Sequence, residues 1–182
     1  MKPAISLPQI PIHSLKVNAH SLFDRQWFLL SAGDFAAGEF NTMTISWGAL
    51  GTIWNKPLAM VAVRPSRYTY QFMERFSSFT LSAFETRYRP ALDLLGTRSG
   101  RDLDKIAAAG LTPAAVPGAA APAFVEAKLV LVCEKMYWQD VSLEQMRDPS
   151  FYLNSNLPEA HRIYFGEVTA VYGQAEYLGG QA

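Results

Sequence analysis

The densest chemistry in the chain lies in one stretch, NTMTISWGALGTIWNKPLAMVAVRPSRYT, residues 41–69. Its distal end, RPSRYT, sets Arg64, Ser66, Arg67 and Thr69 just before a candidate helix N-terminus. Guanidinium groups, hydroxyls and the unpaired N–H groups of a helix start together suit a phosphate. Its proximal end is a strand that finishes in small and hydroxyl residues, Thr44, Ser46, Gly48 and Gly51. Glycine lets a backbone approach a flat ligand closely, so that backbone N–H and C=O groups reach the ring edges. The same residues also fit an ordinary turn and a solvated helix start, and residue types alone leave both readings open.

Other candidate positions are scattered. His161 precedes the last strand, where it is either structural or placed to give a ligand a proton or a hydrogen bond. Ser99 and Lys105 flank a helix start, a usual place for a solvated surface lysine. Trp47 and Trp54 fit stacking on a ligand and fit core or interface packing equally well. No nucleophile–base pair stands out, and 3 scattered histidines do not suggest a metal site. The single cysteine, Cys133, excludes an internal disulfide and a multi-cysteine metal cluster. Its place in the apolar run LVLVC reads as a buried, inert thiol.

The elements that must position these residues read mostly as strands. Trp27 to Ala32, Phe40 to Trp47, Leu58 to Val63 and Ser77 to Phe84 are β-rich runs bounded by glycine, aspartate or proline. Between the last two, RYTYQFMERF predicts a short helix with Thr69 as N-cap. A second helix is expected from Pro90 to Leu95, ended by Gly96. A third is expected over Arg101 to Ala109, capped by Ser99 or Gly100 and stopped by Gly110. TPAAVPGAAAPAF then reads as a loop. Two long strands, Phe124 to Trp138 and Ile163 to Tyr172, flank a polar, turn-rich segment at 140–160. Strands without an alternating βαβ rhythm favour a barrel or sandwich over a Rossmann-type sheet.

Residues 1–20 carry prolines at positions 3, 8 and 11 and are expected to form an extended arm. Residues 21–182 then form a single domain, long enough to bury a real core. A hydrophobic content of 49% against 18% charged residues favours a folded chain over a disordered one. Lysine plus arginine and aspartate plus glutamate both total 16, so net charge supplies no reason to bind nucleic acid or an anionic membrane. The N-terminus does not read as a signal peptide, and no window approaches the ~20 apolar residues of a membrane span. A cytoplasmic location is the resulting expectation.

Several motifs resemble one family in order and spacing. Asn41-x-x-Thr44-x-Ser46-Trp47-Gly48, Trp54, Lys56-Pro57 and Arg64-Pro65-Ser66-Arg67-Tyr68-Thr69 are similar to the FMN-binding core of the flavin reductase-like proteins, including the flavoredoxins. Phe79 to Phe84, Ser99-Gly100-Arg101-Asp102-Leu103-Asp104-Lys105 and His161 to Glu167 agree further along. The resemblance spans roughly residues 20–173. It implies a mainly β protein with short helices, folded as an FMN-binding split β-barrel of Greek-key topology and working as a homodimer. It also implies that Met43, Thr44, Ile45, Ser46, Trp47 and Gly48 line the isoalloxazine. By the same resemblance Arg64, Ser66, Arg67, Tyr68 and Thr69, with Ser99 and Lys105, hold the phosphate and ribityl end, and His161 is the catalytic candidate.

Around the phosphate loop the sequence departs from the flavin reductases of two-component monooxygenases and stands nearer the flavoredoxins. Three functions follow as alternatives. One is an FMN oxidoreductase using NAD(P)H. Another is an electron-transfer flavoprotein fed by a redox protein partner. The last is an FMN-binding or structural barrel without turnover.

Overall fold

The computed structural model describes residues 2–153 and 159–180. Ten strands and four short α-helices appear among the described residues. The main sheet contains β2 (Phe28–Asp34), β3 (Glu39–Ile45), β4 (Gly48–Ile53), β5 (Lys56–Val63), β6 (Ser78–Ala83), β9 (Leu129–Asp140) and β10 (Arg162–Gly173). Their order is β3-β2-β6-β9-β10-β5-β4, with every neighbouring pair antiparallel. Three hairpins, β2–β3, β4–β5 and β9–β10, are stitched together by β6, which leaves β5 and returns to lie beside β2. This is the Greek-key arrangement of a split barrel. The ladder runs from β3 to β4 without closing, so the barrel has a seam.

The apolar runs that signalled strands are buried on both sides of the sheet. Phe28, Leu30, Leu81, Leu129 and Leu131 point into the barrel with Val61, Phe79 and Tyr164. The alternate residues Leu29, Val130 and Val132 point outward and are covered by Leu92, Leu95, Val116 and Phe124. Side chains alternate faces along a strand. A strand covered on both faces therefore loses the polar/apolar alternation and reads as a continuous apolar run. Cys133 lies within this layer, fully buried, and burial pushes its thiol pKa up beyond any reactive range.

Several boundaries differ from the sequence reading. The third helix is only α3 (Lys105–Ala108), because Asp104, not Ser99 or Gly100, caps it by accepting from Ala107 N at 3.1 Å. The helix α2 (Arg89–Thr97) runs through Gly96 instead of ending before it. In α1 (Tyr68–Arg75) Thr69 is not the N-cap; Arg67 holds that position without a side-chain cap bond. β4 was hidden in a Gly-rich stretch that reads as a turn. The Ala/Pro loop holds a short ladder of β7 (Pro113–Ala114) and β8 (Ala123–Phe124). The N-terminal arm is docked: β1 (Gln9–Ile10) pairs with β10, and Ile10 is buried in the barrel core. No helix among the described residues is long and apolar enough to cross a membrane.

Candidate functional site

The seam of the barrel carries a groove. Its floor is the end of β3 and the link into β4, Met43 to Trp47; its far wall is Ala62 and Arg64 at the end of β5. Gly96 of α2 and His161, just ahead of β10, complete it, and Arg67 stands at its edge. The cavity measures about 240 Å³. Three bonds hold its shape. Ala62 N–H donates to Trp47 O at 3.3 Å, which extends the β4–β5 ladder to the groove. Thr44 Oγ1 donates to Leu92 O and docks α2 on the end of β3. Arg67 Nη2 donates to Gly96 O.

A second cavity of about 110 Å³ also has Arg67 in its wall. Ser66, Tyr68 and Thr69 form one side, and Ser99, Arg101 and Lys105 the other, together with Thr97 and Arg98. The carbonyl end of α2 organises the charges here. Lys105, only 3% exposed, donates from Nζ to Leu95 O at 3.0 Å and Arg98 O at 3.2 Å. Arg67 takes the Gly96 carbonyl beside them. Cations at a helix C-terminus satisfy its last carbonyls and its dipole. Arg101 donates to Ser66 O at 3.3 Å and lies over the Tyr68 ring.

Among the described residues, none of Arg64, Arg67, Arg98, Arg101 and Lys105 forms an ion pair. Burial lowers the pKa of Arg67, and Arg64 lowers it further. Burial, with help from Arg67, pushes Lys105 down to about 8. Partly desolvated like charges held close together are unfavourable, and an anion in the second cavity would relieve them. A phosphate dianion fits this donor set.

His161 is buried, with its ring centroid 4.7 Å from that of Trp47. Its Nδ1 shares a hydrogen bond with the Tyr152 hydroxyl at 2.9 Å. Burial, and then the charge of Arg64, lower its pKa to about 4, so the imidazole is neutral at pH 7. On the groove wall the neutral imidazole is placed to hydrogen-bond what enters there.

Most of the residues singled out in the sequence converge on these two adjoining cavities. Gly48 does not line either. A Cβ there would lie 2.4 Å from Cε1 of Phe23 and 2.5 Å from Met60 O, so its glycine answers to packing under β4. Thr69 turns inward and its Oγ1 accepts from Asn41 Nδ2 at 2.8 Å. Trp47 lies on the groove and is 41% exposed, whereas Trp54 sits away from it at the β4–β5 turn. Ala62, Gly96, Arg98 and Arg101 were missed. Only the cation density of TRSGR carried a signal for the last two; the others are placed by the fold setting β5 and α2 against the end of β3.

A split barrel with a groove at its seam and a cation-lined cavity beside it defines the class. The chain belongs to the flavin reductase-like domain family, whose profile matches residues 21–180. No curated protein sequence matches it. Solved structures show the same fold at low identity. An FMN-binding domain of a flavin reductases-like enzyme from Shewanella baltica aligns with a TM-score of 0.67 and 16% identity, over 93% of this chain and 78% of that one. The flavoredoxin of Desulfovibrio vulgaris (Miyazaki F) gives 0.64 and 20%, over 97% and 78%. An NADH:FAD oxidoreductase of Streptomyces globisporus gives 0.64 and 15%, over 85% and 80%.

Proposed function

We propose that the protein is an FMN-dependent oxidoreductase that takes electrons from NAD(P)H and passes them to an acceptor, working as a homodimer in the cytoplasm. The observation that carries this reading is the adjoining pair of cavities. One is a groove walled by backbone and small residues, Met43 to Trp47 with Ala62 and Gly96. The other is a cation-lined cavity, and Arg67 borders both. Together they match a flat ring joined to a phosphate, which favours FMN over a flavin lacking the phosphate. When bound, FMN supplies the hydride and electron chemistry. The chain's own part is to hold and orient it. Arg64, Arg67 and Lys105 bind the anion, and Ser66, Tyr68, Thr69 and Ser99 close the cavity around it. Met43 to Ser46 set the plane of the ring, and His161 with Trp47 walls one side and limits water.

Dimer formation is supported by a separate aromatic surface. Trp54 is 60% exposed and is held at a positive φ of 51° in the β4–β5 turn. It packs edge-on against the exposed Tyr137, which in turn meets Phe165. Exposed aromatics in such a cluster mark an interface.

Calorimetry with FMN, FAD and riboflavin tests the cofactor, and equal affinity for FMN and riboflavin would sink the phosphate assignment. Anaerobic mixing of the FMN-loaded protein with NADH and NADPH tests the donor. Fast bleaching is expected. Slow bleaching that a reduced redox protein accelerates would replace this reading with a flavoredoxin-type carrier, the function the name of the Desulfovibrio neighbour suggests. Light scattering at micromolar concentration is expected to give twice the 20.2 kDa chain mass.

A further inference from the structure

The loop that bears Arg64 and Arg67 already holds an anion, and that anion comes from the chain itself. Ser66 N–H donates to Glu159 Oε1 at 2.6 Å, a charge-assisted bond. Within the loop itself, ahead of α1, few backbone donors compete for that carboxylate. Pro65 has no N–H, and Arg67 N–H is spent on Arg64 O at 3.0 Å. Among the described residues Glu159 forms no ion pair, so the Ser66 amide is its anchor. Ser66 also lines the cation-rich cavity. Two residues after Glu159 stands His161, whose backbone carbonyl accepts from Val141 N at 3.0 Å and whose ring lines the groove. Arg64 and Glu159 act on that ring with opposite sign.

We propose that Glu159 is a specificity-determining residue: its carboxylate stands in for the ligand phosphate at Ser66 N–H and gives way when a phosphorylated flavin binds. The inference rests on the phosphate reading of the second cavity. In the empty protein the carboxylate satisfies the loop amide and offsets part of the surrounding positive charge. A phosphate entering the cavity meets both a competitor for Ser66 N–H and a like charge. Glu159 therefore sets how strongly the protein discriminates FMN from riboflavin, and it links the loop to the stretch that carries His161.

The test is calorimetric titration of FMN and riboflavin into the full-length protein and its Glu159→Gln and Arg67→Ala variants, with melting curves in added inorganic phosphate. Gln keeps an oxygen for the Ser66 amide, so the loop stays capped. Glu159→Gln is expected to tighten FMN roughly three- to tenfold and to leave riboflavin within twofold. Inorganic phosphate is expected to raise the melting temperature of Glu159→Gln more than that of the parent. If Glu159→Gln leaves the FMN-to-riboflavin ratio unchanged, or weakens both ligands, Glu159 only orders the loop and the proposal falls. A parent that binds both flavins equally, with Arg67→Ala indifferent to FMN, removes the phosphate reading itself and this inference with it. Glu159→Ala is expected to repeat the Gln result; a loss of FMN affinity in both variants overturns the proposal.

Discussion

Two arginines far apart in sequence, Arg67 and Arg162, have opposite surroundings. Arg162, at the start of β10, is saturated. It makes a two-pronged pair with Asp140 at 2.7 and 2.8 Å and a third bond to Glu74 at 2.8 Å. Its guanidinium lies 3.6 Å from the Trp138 ring centroid, and Glu74 accepts from the Tyr164 hydroxyl as well. These partners hold the Arg162 pKa above its ordinary value. Arg67 has one carbonyl and no carboxylate, and its pKa is pushed down. Residue type is the same in both. The difference is the carboxylate: the chain pairs Arg162 directly with two of them, and among the described residues it pairs Arg67 with none.

The largest effect is expected from breaking the complete network. Arg162→Ala leaves Asp140 and Glu74 without their partner and should destabilise the protein by about 3 kcal/mol. That corresponds to a fall of roughly 6–12 °C in Tm for a chain of this size, measurable by calorimetry. FMN affinity of the folded fraction should not change.

Arg67→Ala should do the reverse. FMN affinity is expected to fall about ten- to hundredfold, some 1.5–3 kcal/mol, with riboflavin nearly unaffected. Arg67→Lys should recover only part of it, since lysine lacks the planar fork. The melting temperature of the empty variant should hold or rise, because one member of a like-charge cluster has gone. A drop in riboflavin affinity and in Tm together would make Arg67 a packing residue and erase the contrast with Arg162.

Lys105 sharpens the comparison through pH. With its pKa near 8, the charged form that binds a phosphate is lost as pH rises through that value. FMN affinity should therefore decline above pH 8 by up to about tenfold per unit, while riboflavin affinity stays level. The empty protein should move the other way. The unfolded lysine keeps its proton up to about 10.4, so between pH 8 and 10 the unfolded state binds more protons and stability rises with pH. Lys105→Met should flatten both curves.

The smallest effect concerns His161. Its folded pKa of about 4 lies below the unfolded ~6.5, so the unfolded state takes up the proton first as pH falls through that window. Stability should decline from pH 6.5 towards 4, and His161→Gln should remove that part of the slope. Turnover should show no step between pH 6 and 7 from this residue. NMR titration of the imidazole with a midpoint near 6.5 would restore it as an ordinary acid.

What was legible in the sequence was what depends on near neighbours. The apolar runs FLLSA and LVLVC mark strands because burial on both faces needs only local β-propensity and hydrophobicity. RPSRYT stands out because its cations and hydroxyls are consecutive; the cation-lined cavity gathers Ser66, Arg67, Tyr68 and Thr69, while Arg64 lines the groove. The third helix misled because Ser99, Gly100 and Asp104 are all acceptable caps, and only the fold chose Asp104. β4 was invisible because its glycine is demanded by Phe23 and Met60, residues distant in sequence.

By itself, then, the sequence determined the β-rich class, the strand cores and the chemistry of the loop at 64–69, all local consequences of residue type and order. Tertiary structure alone decided which charges meet. It brought the carbonyl end of α2 to Lys105 and Arg67, turned Glu159 onto Ser66 across 93 residues of chain, and gave Arg162 the carboxylates it withheld from Arg67. Those pairings depend on how the barrel brings distant segments together, and no local pattern of side chains encodes them.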